Sequence, residues 1–381
     1  MTVNAPKGFR AAGVAAGLKT TGAKDVTLVV NDGPLDVAAG VFTRNKVKAA
    51  PVLWSQQVLQ TGRARAVVLN SGGANACTGP QGFQDTHATA EHVARALGIG
   101  AIDVAVCSTG LIGERLPMAE LLSGVDDAVR SLSTSHQAGV DAATAVMTTD
   151  TVPKHAQSTQ DGWTVGGFAK GAGMCAPNMA TMLAVVTTDA APEDAQTSLR
   201  EAVEDTFNRL DVDGGTSTND TVLLLCSGAS GETPPNFTEV LTDVCRDLVR
   251  QLQADAEGVT KHVTIVVRGA VTDAEAHVAA RQVAEDNLCK TAFYGADPNW
   301  GRIAMAVGNA PVEFDPAELD ITINGVEVCR EGQKAADRAK ADLSGRDVEV
   351  EIHLHAGGGT ATVLTTDLSH AYVEENSAYP T

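Results

Sequence analysis

A large mixed α/β fold follows from three features of the sequence. Short apolar runs of strand length alternate with polar stretches of helical spacing, hydrophobic residues make up 44% of the chain, and no apolar run is long enough to span a membrane. A chain of 381 residues can bury a large core and should hold two domains or one large α/β unit. The formal charge of −19, with no basic run, argues against nucleic acid and anionic membrane as partners. A cationic small molecule would be attracted; an anionic one would need a local basic group. The N-terminus lacks the apolar core of a signal peptide, so a cytoplasmic protein is expected. Seven cysteines without a C-x-x-C spacing fit neither a disulfide framework nor a zinc knuckle, and no metal or bound cofactor is expected.

In chain order, residues 26–45 read as two strands about the turn Asn31-Asp-Gly33, and 64–70 as a third strand. The glycine-rich loop Ser71–Gly79 that follows is either a plain turn or a substrate wall. Residues 82–97 have helical spacing, with His87 and His92 as surface residues. The buried strand 102–107 ends in Ser108-Thr-Gly-Leu-Ile-Gly113, where a hydroxyl and a backbone N–H can be aimed at one point, as an oxyanion hole requires. Helices are expected over 117–132 and 137–147, the second running into Met147-Thr-Thr-Asp-Thr151, a cluster of turn residues or a polar pocket wall.

A strand at 163–168 leads to the most unusual stretch, Lys170-Gly-Ala-Gly-Met-Cys-Ala-Pro-Asn-Met-Ala-Thr-Met-Leu-Ala184. Here a glycine-broken polar segment passes into the apolar run 182–186, with Ala180 and Thr181 at the junction, so a loop enters a buried strand. Thr181 is either a good strand residue or a nucleophile. In the second case its hydroxyl attacks the Ala180 carbonyl in an N-to-O acyl shift. Rupture of that bond would leave an α-amine, of ordinary pKa ~7.7–8.0, beside its own hydroxyl.

Further on, a helix over 192–208 precedes Asp211-Val-Asp-Gly-Gly-Thr-Ser-Thr-Asn-Asp-Thr221 and the strand 222–226. That loop supports a neighbouring site, forms an elaborate turn, or, remotely, binds calcium. Helix 239–256, strand 262–267, helix 274–287, the turn string Tyr294–Arg302 and a small-residue helix come next. Two strands, a helix near 332–341 and strands at 347–355 and 360–366 complete the fold. His353 and His355 could form a ligand pair, although alternate strand residues more often only share a face. The polar C-terminal segment 372–381 looks too distinctive for a disordered tail.

Six motifs occur in order along nearly the whole chain: Ser108–Gly113, Met147–Thr151, Lys170–Met174 with Pro177–Leu183, Thr216–Thr221, Asp297–Arg302 and Asn376-Ser377. Together they resemble the ornithine acetyltransferases of the cyclic arginine pathway. The resemblance implies stacked α/β domains with an N-terminal nucleophile, cleaved between Ala180 and Thr181 into an α chain of residues 1–180 and a β chain of 181–381. It further implies an oxyanion hole at Thr109 and Gly110, and substrate contacts from Thr148, Lys170, Thr181, Glu257, Asn376 and Thr381. A pair of α/β heterodimers is the implied assembly. Gly73, Gly215 and the run Thr365-Thr-Asp-Leu368 depart from the family pattern and bear on pocket polarity.

The implied reaction moves acetyl from N-acetylornithine to glutamate through an acetyl-threonine ester. Many such enzymes also accept acetyl-CoA; no CoA motif is visible, so that donor stays open. Lys170 is either a solvated loop lysine or the cation for an amino-acid carboxylate. Glu257 is either a helix-end carboxylate or the acceptor for ornithine's side-chain amine. Two rivals remain: an N-terminal-nucleophile aminopeptidase or amidohydrolase that passes the acyl group to water, and a non-catalytic amino-acid binder.

Overall fold

The computed structural model describes residues 2–174, 176 and 182–378, and the chain divides into two compact units. The first comprises Met1–Asn208 and Gly215–Asp255, the second Arg209–Gly214 and Ala256–Pro380.

The first unit opens with β1 (Phe9–Val14), β2 (Val26–Asn31), β3 (Val37–Phe42), α1 (Ala50–Val58) and β4 (Ala66–Asn70). There follow α2 (Gly79–Leu97), β5 (Val104–Ser108), α3 (Met118–Ser131), α4 (His136–Ala145), β6 (Lys154–Thr159) and β7 (Thr164–Lys170). After the segment containing Thr181 come β8 (Leu183–Thr188), α5 (Ala195–Glu204), β10 (Thr221–Cys226) and α6 (Phe237–Ala254), with β9 (Leu210–Asp211) falling in the second unit.

Two sheets result, ordered β1-β2-β4-β5 and β3-β10-β8-β7-β6. Strand β2 shows why both faces of the first sheet must be covered. Its Val26, Leu28 and Val30 pack with Trp54, Val93, Leu121 and Val125 of the helices, whereas Val29 faces the opposite way. There it joins Val67, Leu69 and Cys107 in a core shared with Ala142 and Ala143 of α4 and with Phe168, Leu183, Val185 and Leu225 of the second sheet. Each such side chain withdrawn from water contributes roughly 1.5–3 kcal/mol. The long run of buried β-branched residues thus places β5, β7 and β8 back to back in one layered unit. Capping fixes the helix starts: Ser135 Oγ accepts from Ala138 N at 3.2 Å and Asp194 Oδ1 from Thr197 N at 2.9 Å.

Strands β7 and β8 are antiparallel neighbours, with Lys170 opposite Leu183, and β8 runs parallel to β10, with Leu183 opposite Thr221. The sequence expectation of two chains meeting at Ala180-Thr181 therefore draws its boundary through one continuous sheet. The compact units divide elsewhere.

The second unit contains β11 (His262–Ala270), α7 (Asp273–Glu285), α8 (Asn287–Tyr294), α9 (Trp300–Gly308), β12 (Asp320–Ile323) and β13 (Val326–Arg330). It ends with β14 (Gln333–Lys334), β15 (Asp347–His353), β16 (Gly359–Thr366) and α10 (His370–Ala378). One sheet, ordered β14-β13-β12-β15-β11-β16-β9, buries Val263, Ile265, Val267, Val350 and Ile352 against Ala280 and Val283 of α7, with Phe293 and Ile303. Alternation of these residues with Thr264, Glu349 and Glu351 is the period-two signal of a sheet covered on one face.

Two sequence expectations need correction, and two strands carry no signal in the sequence. Strands β2 and β3 are not partners across their turn, because both edges of β2 are taken by β1 and β4, and β3 pairs with β10 instead. Residues 332–341 are not a helix. Their backbone bonds run across to β13, with Ala335 N donating to Val328 O and Ala336 N to Glu327 O, leaving only a single tight turn at Arg338–Lys340. Strands β1 and β6 carry too much Ala, Gly, Lys and Gln to show strand patterning, and only the sheet neighbours reveal them. His353 and His355 stack at 3.8 Å, His355 binds Asp320 at 2.7 Å, and among the described residues no group of three or more His, Cys, Asp or Glu is placed to hold a metal. No described helix is long and apolar enough to cross a membrane.

Candidate active site

Lys170 is the last residue of β7 and is 1% exposed. It is no solvated loop lysine. Its Nζ donates to Thr109 Oγ1 at 3.3 Å, which leaves the threonine O–H free to donate elsewhere. Below it lies a charge network. Asp150 Oδ1 accepts from Lys154 Nζ at 2.6 Å and from Gly171 N at 2.7 Å, Asp150 Oδ2 accepts from Thr148 N at 3.0 Å, and Lys154 also binds Asp255 at 2.6 Å. Burial alone would push the Asp150 carboxyl up, but the charges of Lys170 and Lys154 outweigh it and hold the group below the usual carboxylate range. The cluster Met147–Thr151 is therefore a wall built on Asp150, and the side chain of Thr148 is exposed on it.

Lys19 adds a further charge. Its Nζ donates to Met147 O at 2.8 Å and Lys24 O at 2.9 Å, and burial, with Lys170 nearby, lowers its pKa. A strongly acidic protein thus carries a local group of lysines at the end of β7.

Thr109 follows β5 and is 4% exposed; its N–H is already committed to Asn70 O at 3.0 Å. The next residue must be glycine. Gly110 has φ +130°, and a Cβ there would lie 2.8 Å from Gly73 N. The Ser71–Gly79 loop is the wall against which Gly110 is set, held by Ala74 N to Leu111 O and Gly113 N to Ala76 O, both at 2.9 Å. Gly73, a departure from the family pattern, lends its backbone to that wall, and a Cβ on it would lie 3.2 Å from Leu116.

The third element is the loop before β10. Asn219 Nδ2 donates to Ser108 O at 2.8 Å and to Ala74 O at 2.6 Å, and Asp220 Oδ1 accepts from Met182 N at 3.0 Å. Burial pushes the Asp220 carboxyl well above its usual range, against the opposing pull of Met182 N, Lys170 and Ser217.

In the second unit Glu257, 9% exposed, accepts from Asn376 Nδ2 at 2.8 Å, and the same amide donates to Tyr372 O at 3.0 Å. Helix α10 is held there because Gly258, at φ +60°, lets Tyr372 approach so closely that a Cβ would lie 2.2 Å from its N. Ser369 Oγ donates to Gly258 O at 2.6 Å, and Asp367 Oδ1 accepts from Thr260 N and Lys261 N at 2.9 and 2.8 Å. Two residues chosen 119 positions apart are thus hydrogen-bonded to each other. Ala180, Thr181 and Thr381 lie outside the described residues.

With this geometry in view, comparison with known proteins is decisive: a model of the ArgJ family matches residues 10–381. The chain belongs to the ArgJ family. The arginine biosynthesis bifunctional protein ArgJ of Mycobacterium tuberculosis (strain CDC 1551 / Oshkosh) is 61% identical, over 99% of this chain and 96% of the relative. That of Thermobifida fusca is 58% identical over the full length of both. A solved ornithine acetyltransferase from M. tuberculosis, complexed with ornithine, is 63% identical and covers 48% of this chain and 96% of its own, with a TM-score of 0.46. An ArgJ structure from Bacillus halodurans is 36% identical, covers 51% and 97%, and has a TM-score of 0.48. The mixed α+β fold agrees with that membership.

Within this family member, sequence reasoning chose Thr109, Gly110, Thr148 and Lys170, and the fold gathers them in the first unit. It missed the groups that hold them: Asp150, Lys154 and Asp255 beneath Lys170, and Asn219 and Asp220 behind the Ser108–Gly110 loop. The signal available was the density of Asp, Asn and Thr in two of the six motifs.

Proposed function

We infer that this protein transfers the acetyl group of N-acetylornithine to glutamate in arginine biosynthesis, as an N-terminal-nucleophile acyltransferase with amino-acid substrates. The observation that carries the reading is the register of β7 and β8: Lys170, bonded to Thr109, is paired with Leu183, two residues beyond Thr181. The end of β7 and the start of β8 are thus neighbours in one sheet, and Lys170 reaches from there to Thr109, just past the end of β5 in the other.

The chain first acts on itself. Thr181 Oγ attacks the Ala180 carbonyl carbon, the C–N bond breaks and the nitrogen takes the hydroxyl proton; water then hydrolyses the ester, giving an α chain of residues 1–180 and a β chain from 181. In turnover the new α-amine receives the hydroxyl proton while Oγ attacks the acetyl carbonyl. The oxyanion forms against the Thr109 hydroxyl and the Gly110 N–H, which act most strongly on charge that develops only in the transition state. Ornithine leaves with a proton on its amine, glutamate enters, and its amine takes the acetyl group from Thr181. Lys170 meets the substrate carboxylate, and the family resemblance implies further substrate contacts from Thr148, Glu257, Asn376 and Thr381. The same resemblance supports acetyl-CoA as a second donor, a pair of α/β heterodimers as the assembly, the cytoplasm as location, and no bound cofactor or metal.

The test is an initial-rate study in which donor and acceptor are both varied. Parallel double-reciprocal lines for N-acetylornithine and glutamate, with no ornithine release when glutamate is omitted beyond one equivalent per site, support transfer through an ester. Sustained release without glutamate would make the protein a hydrolase.

A further inference from the structure

A loop lysine ordinarily leaves its ammonium in water. Lys19, in the loop between β1 and β2, is instead half-buried and pinned at both ends. Its Nζ donates to Met147 O at 2.8 Å and to Lys24 O at 2.9 Å, and its backbone N–H donates to Asp25 Oδ2 at 3.1 Å. Asp25 also accepts from Ala16 N at 2.6 Å and Leu18 N at 2.7 Å, so its two oxygens go to backbone N–H groups. The ammonium, with two of its three N–H groups on carbonyls, makes no ion pair among the described residues. Three observations join it to the site. Met147, which it grips, precedes Thr148 in the wall built on Asp150. Leu18 lies so close to Gly72 that a Cβ there would be 2.4 Å from Leu18 Cβ, and the next residue, Gly73, is the backbone against which Gly110 is set. Lys170 and Asp150 are near enough for their charges to act on Lys19.

The acceptor sets a requirement that one lysine does not meet. N-acetylornithine and glutamate share an α-carboxylate, but the glutamate side chain ends in a second carboxylate, which in a protein of charge −19 needs a cation of its own. We propose that Lys19 is a specificity-determining residue for the acceptor, its remaining N–H receiving the side-chain carboxylate of glutamate while Lys170 holds the α-carboxylate. The proposal rests on the acyl-transfer reading above and deepens it. Because Met147 O and Lys24 O already fix the ammonium, little side-chain freedom is lost when the carboxylate arrives. The side-chain amine of ornithine, itself a cation, gains nothing from Lys19, so the contact separates acceptor from donor.

Lys19→Gln keeps an N–H donor for the two carbonyls and removes the charge. Full-length wild type and variant are assayed with N-acetylornithine as donor and with glutamate or glutamine as acceptor, glutamine having the same shape without the second charge. The wild type should prefer glutamate. In the variant KM for glutamate should rise by roughly tenfold or more, KM for N-acetylornithine should stay nearly unchanged, and the preference for glutamate over glutamine should fall by the same factor. Lys19→Arg should recover much of that preference. Should circular dichroism show Lys19→Gln unfolded, the same comparison is made with Lys19→Met. A purely structural lysine would slow both acceptors alike, and a glutamate-to-glutamine ratio equal to that of the wild type overturns the proposal, as does a wild type that uses the two acceptors equally. The underlying reading is tested in the same assay: if the wild type forms no N-acetylglutamate, that reading falls; if it forms it and Lys19→Gln keeps the full preference for glutamate, only the proposal falls.

Discussion

The ammonium of Lys170 donates to the hydroxyl of Thr109 at 3.3 Å across 61 residues of sequence, with both side chains buried. A fully charged side chain in the core is tolerated only when its surroundings compensate, and here Asp150 and the Thr109 oxygen do so. On the reading proposed above, the same ammonium meets the substrate carboxylate. Lys170→Met should raise KM for N-acetylornithine and lower kcat/KM by about a hundredfold or more, because a desolvated charge–charge contact is lost. It should also destabilise the fold by about 1–3 kcal/mol by stripping a partner from buried polar groups. Steady-state kinetics and urea titration check the two effects separately.

Gly110→Ala meets two obstacles at once, a positive φ and a backbone atom 2.8 Å from the new methyl. The loop must shift, taking its N–H away from the developing oxyanion. We expect kcat to fall by about 10²–10³ with a smaller change in KM, the range for loss of one oxyanion donor. Unchanged kcat would remove Gly110 from the oxyanion hole.

Asp150 gives a pH prediction with a definite sign. Burial works against its ionised form, but Lys170 and Lys154 prevail, so the folded chain releases this proton more readily than the unfolded chain. The resulting stability is fully present above the unfolded value of about 3.9 and is lost as pH falls through the lower folded value. Urea midpoints should therefore decline for the wild type below about pH 4 and decline less for Asp150→Asn. The variant should already be the weaker protein at pH 7, because Lys154 and Gly171 N lose a charged acceptor.

Glu257→Ala removes the acceptor for Asn376, a charged hydrogen bond worth about 1.5–3 kcal/mol. Helix α10 has no buried residues of its own and should fray, seen as faster amide exchange over 370–378. If Glu257 also receives the substrate's amine, KM for N-acetylornithine rises while KM for glutamate changes less. Glu257→Gln should restore the helix and leave the substrate defect.

The sequence made the layered α/β character legible because strands such as Val26–Asn31 and Leu183–Thr188 are continuous apolar runs, and helices such as α3 and α6 keep a regular apolar face. Pairing was not legible, since β2 and β3 look like a hairpin locally and only distant β1, β4 and β10 decide otherwise. For the site, glycine and threonine punctuation marked Thr109, Gly110 and Thr148. The roles of Asp150 and Asp255 were hidden because they arise from contacts to Lys154, one of them across 101 residues. Lys170 shows the limit most clearly: a lysine beside Gly171 reads as exposed, and burial is a property of the sheets that close over it.

The central claim is that Thr181 carries the acetyl group. Wild-type protein, mixed with N-acetylornithine alone, quenched in acid and measured by mass spectrometry, should yield two fragments, the one beginning at Thr181 heavier by one acetyl group and relieved of it on adding glutamate. A wild-type chain that transfers acetyl while remaining uncut, or whose Thr181 fragment never gains that mass during turnover, would contradict the account.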